Sequence, residues 1–439
     1  MRRRFPRRLV VGLLGTAWAG LAAAGLSLEQ ALAREQARAQ GRPFPNQQIL
    51  DPGPGLTLAA GGARQDTPQL IADEFAGEGG LRVVSDVFAA GPLRVQGGLA
   101  WRKGRYWQFN FEGSAVRLPL DLDEPEGGGF GELYASVQRR HWGPGWLGSI
   151  LLDGAAQPVP AIGWRRSVGS TSWLPWLGRW GADIFAGRLQ GHEEPRRPYL
   201  IGMRAQLAPT ERLEMGFSRV MQWGGRGRDQ SPRSLINALL GRDNIGYDGI
   251  TRANEPGNQL AGIDVRWLAD AAERFSIYAQ VVGEDEAGRL PSRNMLLLGV
   301  DTDVALAGRK ARLFVEWVDL LAGRIAGDSR RLVTYRHSVY LQGYTQEGFV
   351  LGHPLGGDAR IGSLGGLLDT GRLSVMLAGS LGDAEPTAQN FAPGRIMGLN
   401  AAVRLQLPDR SHVGATFTWW SDRARRRGLL QAWWRAVVW

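Results

Sequence analysis

From about residue 93 to its end this chain alternates apolar and polar side chains with a period of two. Leu93, Val95, Leu99 and Trp101 alternate with Arg94, Gln96 and Ala100, and Trp107, Phe109 and Phe111 with Gln108, Asn110 and Glu112. Successive side chains of a strand point to opposite faces, so each run presents one apolar face. The pattern returns in Leu213, Met215 and Phe217; in Ile263, Val265 and Trp267; in Phe275, Ile277, Ala279 and Val281; and in Leu313, Val315 and Trp317. Leu399, Ala401, Val403 and Leu405 repeat it, as do Val413, Ala415 and Phe417. Long helical patterns are nearly absent.

Many alternating strands suit either a soluble sandwich or propeller, with apolar faces turned inward, or a transmembrane barrel, with apolar faces turned to lipid. Connection lengths favour the barrel. Short ones (207–210, 269–273, 407–410) alternate with long polar ones (224–257, 283–293, 381–394), as in barrels with short periplasmic turns and long external loops. The opposite faces carry Glu214, Arg219, Asp264, Arg266, Glu316 and Arg404, which suit a wet, charged lumen. Trp223, Trp267, Trp317, Trp419 and Trp420 near strand ends fit an aromatic girdle. The last strand, from Leu429, ends on Trp439, and a terminal aromatic there resembles the signal that the barrel assembly machinery reads. Counting back from a periplasmic C-terminus puts 422–428, 381–394, 321–332, 283–293, 224–257 and 189–198 outside the cell, with a short hairpin turning at Thr345 to Gly348.

Five arginines in Met1 to Arg8, an uncharged run from Leu9 to Leu28 and the small residues Ala31 and Ala33 read as a signal peptide over 1–33. Residues 34–80 read as an N-terminal periplasmic or plugging segment and 81–439 as the barrel. Without cysteine, nothing depends on disulfides or thiolate chemistry. Histidines 141, 192, 337, 353 and 412 show no metal-ligand spacing, so no metal or other cofactor is expected. Removing the signal segment leaves a net charge of +6, and arginines alternate with acids without a nucleic-acid-binding motif.

No motif supports an enzyme. Residues 143–148 match G-x-G-x-x-G, yet no helix or βαβ unit follows; Glu284, Asp285 and Glu286 are a loop charge run; and no G-x-S-x-G elbow occurs. The segment His141-Trp-Gly-Pro-Gly-Trp-Leu-Gly-Ser-Ile-Leu-Leu152, with Pro158-Val-Pro160 after it, does resemble the signature of the capsule assembly Wzi family. Ile201 to Arg204, Met215 to Gly225 and Gly257 to Gly262 continue the resemblance, and Tyr335 to Tyr340, Gly343, Tyr344, Gly352 and His353 complete it in the family's order.

The resemblance implies an all-β, transmembrane antiparallel barrel of about eighteen strands in the outer membrane of a Gram-negative bacterium. It also implies a helical bundle at the periplasmic mouth, whereas only short helical stretches are legible here, so a small plug is expected. The implied activity is lectin-like: anchoring or assembling capsular polysaccharide or exopolysaccharide at the surface. The alternative is a porin or substrate channel. Sugars and their carboxylates suit guanidinium forks and aromatic faces, which selects Trp223, Arg226, Arg228, Arg242 and Tyr247, and then Arg336, His337 and Tyr340. His141 and Trp142, with Pro144 fixing the turn, are expected to fold inward as a constriction, because 147–160 is too apolar for an exposed connector.

Overall fold

The computed structural model describes residues 26–436, apart from 40–46, 51–53, 63–66, 68, 72–78, 104–106, 121–129, 155, 171–174, 243–248, 252–253, 256, 270–274, 285–292, 307 and 324–328. Most of them form one closed antiparallel barrel of nineteen strand segments. Two segments, Trp107–Asn110 and Ala115–Pro119, both pair with Leu93–Lys103, so they are one stave and the wall has eighteen. Where that stave is broken, the Ser114 hydroxyl exchanges hydrogen bonds with the Gly98 backbone at 2.9 and 3.0 Å.

Closure comes from Gly55–Gly62, which pairs with Gly79–Ala90 on one side and with the final strand Arg426–Ala436 on the other. The segment read as periplasmic or plugging therefore supplies a stave, and the wall begins before residue 81. Closure satisfies the backbone groups that an open edge would leave unpaired in lipid.

Burial runs opposite to that of a soluble protein. Phe217, Ile263, Leu298, Leu364 and Leu430 are exposed, while Asp264, Arg266, Asp301 and Glu316 are buried. Charged groups tolerate this only when paired, and the lumen pairs them. Arg204 forks onto Asp264 at 2.6 and 2.9 Å, and Asp301 accepts from Arg312 at 3.0 Å and from the Ser276 hydroxyl at 2.8 Å. An apolar exterior around a polar interior is a wall built for a bilayer. Trp267 and Trp317 are exposed on its outside. Trp420 is not in that girdle: it is fully buried in the lumen with its ring 5.0 Å from Phe391, because consecutive residues face opposite sides and Trp419 has the outward position.

Most connections at one end are short, as at 91–92, 211–212 and 370–372, the connection 120–131 being the long one there. Those at the other end include 137–160, 189–198, 224–256, 324–358 and 385–393. The Thr345 to Gly348 hairpin is real but is no part of the wall. Its strands, Thr345–Gln346 and Phe349–Val350, pair only with each other, so 324–358 is one long connection.

Candidate functional site

From the loop end, residues 137–160 turn inward and fill the lumen. Trp142, Trp146, Ile150 and Leu151 are fully buried, and Gly145 is held by crowding, since a Cβ there would stand 2.1 Å from the Gly148 carbonyl oxygen. Wall side chains clamp this segment by its backbone. The Glu316 carboxylate accepts from the N–H of Trp146, from the N–H of Leu147 at 3.0 Å and from the Tyr278 hydroxyl at 2.8 Å. Gln280 accepts from the Ile150 N–H at 2.8 Å and donates to the Trp142 carbonyl at 2.9 Å. Trp146 also donates its indole N–H to Asp301 at 3.1 Å and stacks on Phe314.

A twelve-residue helix, α1 (Leu28–Ala39), meets the segment from the short-turn end. Arg34 donates to the carbonyls of Gly145 and Pro144 at 3.0 and 2.5 Å, and its guanidinium lies 4.4 Å over the Trp146 ring. Burial, with Arg38 adding repulsion, lowers the Arg34 pKa to about 10. Glu29 bonds Arg404 at 2.7 Å and Glu35 bonds Arg312 at 3.1 Å. The expected signal boundary at residue 33 falls inside this helix.

His141 is buried beside Asp153, with 3.9 Å between Nδ1 and Oδ1. Burial, helped by the nearby His141, pushes His353 down to about 3. His192 is also lowered by burial, although its Nε2 lies 2.8 Å from the Thr345 carbonyl.

Above the filled lumen the long connections bond to one another. Glu347 donates its N–H to Gln190 at 3.0 Å, Leu341 to Glu194 at 3.1 Å, and Arg226 to Arg196 at 2.8 Å. This cap gathers several of the selected residues. Arg228 donates to the Glu255 carbonyl, His337 Nε2 lies 3.4 Å from the Glu255 carboxylate, and the buried Tyr340 hydroxyl donates to Gly224 at 3.3 Å. Arg336 turns away and donates to the Thr387 carbonyl at 2.6 Å. Arg226 is exposed beside Arg196 and Arg197. Arg196 and Arg197 are not among the residues selected from the sequence, although the run Pro195-Arg196-Arg197-Pro198 in a long connection is a legible signal.

Trp223 is buried on the outer face of its strand, beneath a second helix, α2 (Pro232–Leu239), and donates its indole N–H to Ser234 at 2.9 Å. It offers no open stacking face. Arg242 is exposed just beyond that helix. Tyr247 and Trp439 lie outside the described residues.

Residues 129–367 match the family described as capsule assembly protein Wzi. A Klebsiella pneumoniae relative, an uncharacterized 55.8 kDa protein in the cps region, is 41% identical over 165 residues. The match takes in 36% of this chain but only 32% of that relative's length. The fold is similar to that of Wzi from Escherichia coli, an outer membrane protein involved in group 1 capsule assembly and a carbohydrate-binding β-barrel. The TM-score is 0.72 at 23% identity, and 97% of each chain is covered. With more than half of its length matched by the family and the W-G-P-G segment seated inside an eighteen-stave barrel, the chain belongs to the capsule assembly protein Wzi family.

Proposed function

We propose that this protein is a lectin-like barrel of the outer membrane that holds an acidic capsular polysaccharide or exopolysaccharide at the cell surface. The observation that carries this reading is the cap, in which the Arg196 to Arg226 bridge sets exposed arginines of two connections side by side above a packed lumen. Guanidinium forks match sugar carboxylates in shape as well as charge. A channel would need a continuous water path, and the lumen segment, α1 and the cap each stand across it. The binding face is therefore Arg196, Arg197 and Arg226, with Arg228 and His337 on Glu255 and Tyr340 on Gly224 as its scaffold.

The test is Arg196→Ala combined with Arg226→Ala. Cell-associated polysaccharide should fall and the released fraction rise, with barrel levels in the membrane unchanged. Lys at both positions should rescue only in part, since it restores charge without the fork. Wild-type retention should weaken with salt, because exposed charges are screened over about 8 Å at physiological ionic strength. Unchanged retention in the double alanine variant removes the arginine face from the site.

A further inference from the structure

Helix α2 does not belong to the cap. It packs on Met221 and Trp223, with Tyr199 and Ile201 beside them in register. These residues share the outward face of the wall with the exposed Phe217. The connection after Trp223 thus folds α2 down over the outside of the barrel at its loop end. It is fastened there by its last carbonyls, Arg219 donating to Leu239 at 2.6 Å and to Ala238 at 2.8 Å, and Gln259 to Ala238 at 2.8 Å. Ile236 and Leu240, one turn apart, point away from the wall and are 54% and 56% exposed.

Beside the fastened end runs a groove of about 550 Å³, walled by Met203, Phe217, Arg219, Ala261, Ile263 and Val281. These residues occupy the outward face of adjacent strands, so the groove opens to the surroundings of the barrel and not to the lumen. Arg219, expected in the lumen, is therefore outside, because it lies two residues from the exposed Phe217 and shares its face. The groove is apolar except at Arg219, which ties it to α2, and at Asn294. The chain turns just past the helix, where the Arg242 N–H donates to the Asn237 carbonyl at 2.8 Å and the Arg242 guanidinium is exposed. A Cβ at Gly241 would lie 4.0 Å from the Arg219 guanidinium that lines the groove, so Arg242 follows in the chain beside the Arg219 end of the slot. A largely apolar slot with a basic residue beside it and an amphipathic helix at that end matches a lipid with a phosphorylated head. The slot takes acyl chain, the Arg242 guanidinium takes phosphate, and the exposed Ile236 and Leu240 enter the same leaflet as an interfacial helix does.

We propose that this groove and α2 form a docking site for a phosphorylated outer-leaflet lipid, one acyl chain lying in the groove and the phosphate on Arg242. The inference rests on the reading of the barrel as an outer-membrane protein.

The test is to extract the full-length protein from outer membranes in mild detergent, exchange it extensively, and measure retained lipid by native mass spectrometry and phosphate assay. Wild type should keep the lipid. Ala261→Trp, which fills the groove, and Arg242→Glu, which reverses the charge, should each lower retention by about tenfold or more, given the strength of a charge-assisted phosphate contact. Leu364→Trp, on the lipid-facing side of a distant stave, should retain wild-type levels. Should Ala261→Trp fail to assemble, Arg242→Glu decides alone. Outer-membrane barrel that keeps no lipid, or that keeps as much in the assembled variants as in wild type, overturns the docking site while leaving the membrane reading intact. Protein that fractionates away from the outer membrane overturns both.

Discussion

Replacing Glu316 with alanine should release the lumen segment from the wall. In the native protein its carboxylate holds two consecutive backbone N–H groups, Trp146 and Leu147, and the Tyr278 hydroxyl. All three donors are on buried residues. A buried donor left without a partner costs about 1 to 3 kcal/mol, so the two N–H groups alone put the loss at about 2 to 6 kcal/mol, with the low end applying if lumen water reaches them. The effect should be local, because the wall's ladder is untouched. The heat-induced shift of the folded band on a denaturing gel should therefore stay near wild type, while ion conductance across a planar bilayer should rise from closed to flickering or open. Glu316→Gln keeps an acceptor and should fall between the two. If the alanine variant is as tightly closed as wild type and equally resistant to protease, Glu316 does not hold the seal.

Three further outcomes follow from the same geometry. Phe417→Arg places a charge on the lipid-facing wall and should cost about 2 to 4 kcal/mol near the midplane, whereas Arg404→Ala, which gives up the Glu29 contact inside, should leave the barrel assembled; the reverse order of assembly yields would invert the inside and outside of the wall. Acid should loosen the cap: with the His353 pKa at about 3 in the folded protein and about 6.5 when unfolded, the unfolded chain takes up the proton first. Stability then falls as pH drops below about 6.5, towards a ceiling of about 5 kcal/mol at pH 3. Melting followed between pH 7 and 5, above the carboxylate range, should show the slope, and His353→Gln should reduce it, the buried His192 keeping a share of the same sign. Arg34→Ala should raise conductance as Glu316→Ala does, because it frees the Gly145 and Pro144 carbonyls from α1, and a closed variant would show that α1 is not coupled to the lumen segment.

The alternation of Ile263, Asp264, Val265 and Arg266 determined a strand with one face for lipid and one for water, because side-chain direction in a strand is a local property of period two. Connection lengths determined a barrel with one short-turn end and one loop end for a similarly local reason. The W-G-P-G segment was legible as too apolar to remain outside. What it would meet was not: Glu316 lies 170 residues from Trp146, and only closure of the wall brings them together. Sequence likewise left the face of Trp223 open. Its position near a strand end suited a girdle, a sugar platform or a lumen contact, and the register with Tyr199, together with the path of residues 224–256, put it outside under α2. The meeting of Arg228, His337 and Tyr340 around Glu255 and Gly224 was also settled only in three dimensions. Period and composition specify which way each stave faces, but contacts inside a closed barrel depend on which staves become neighbours and how far each connection reaches, and those are properties of the whole chain.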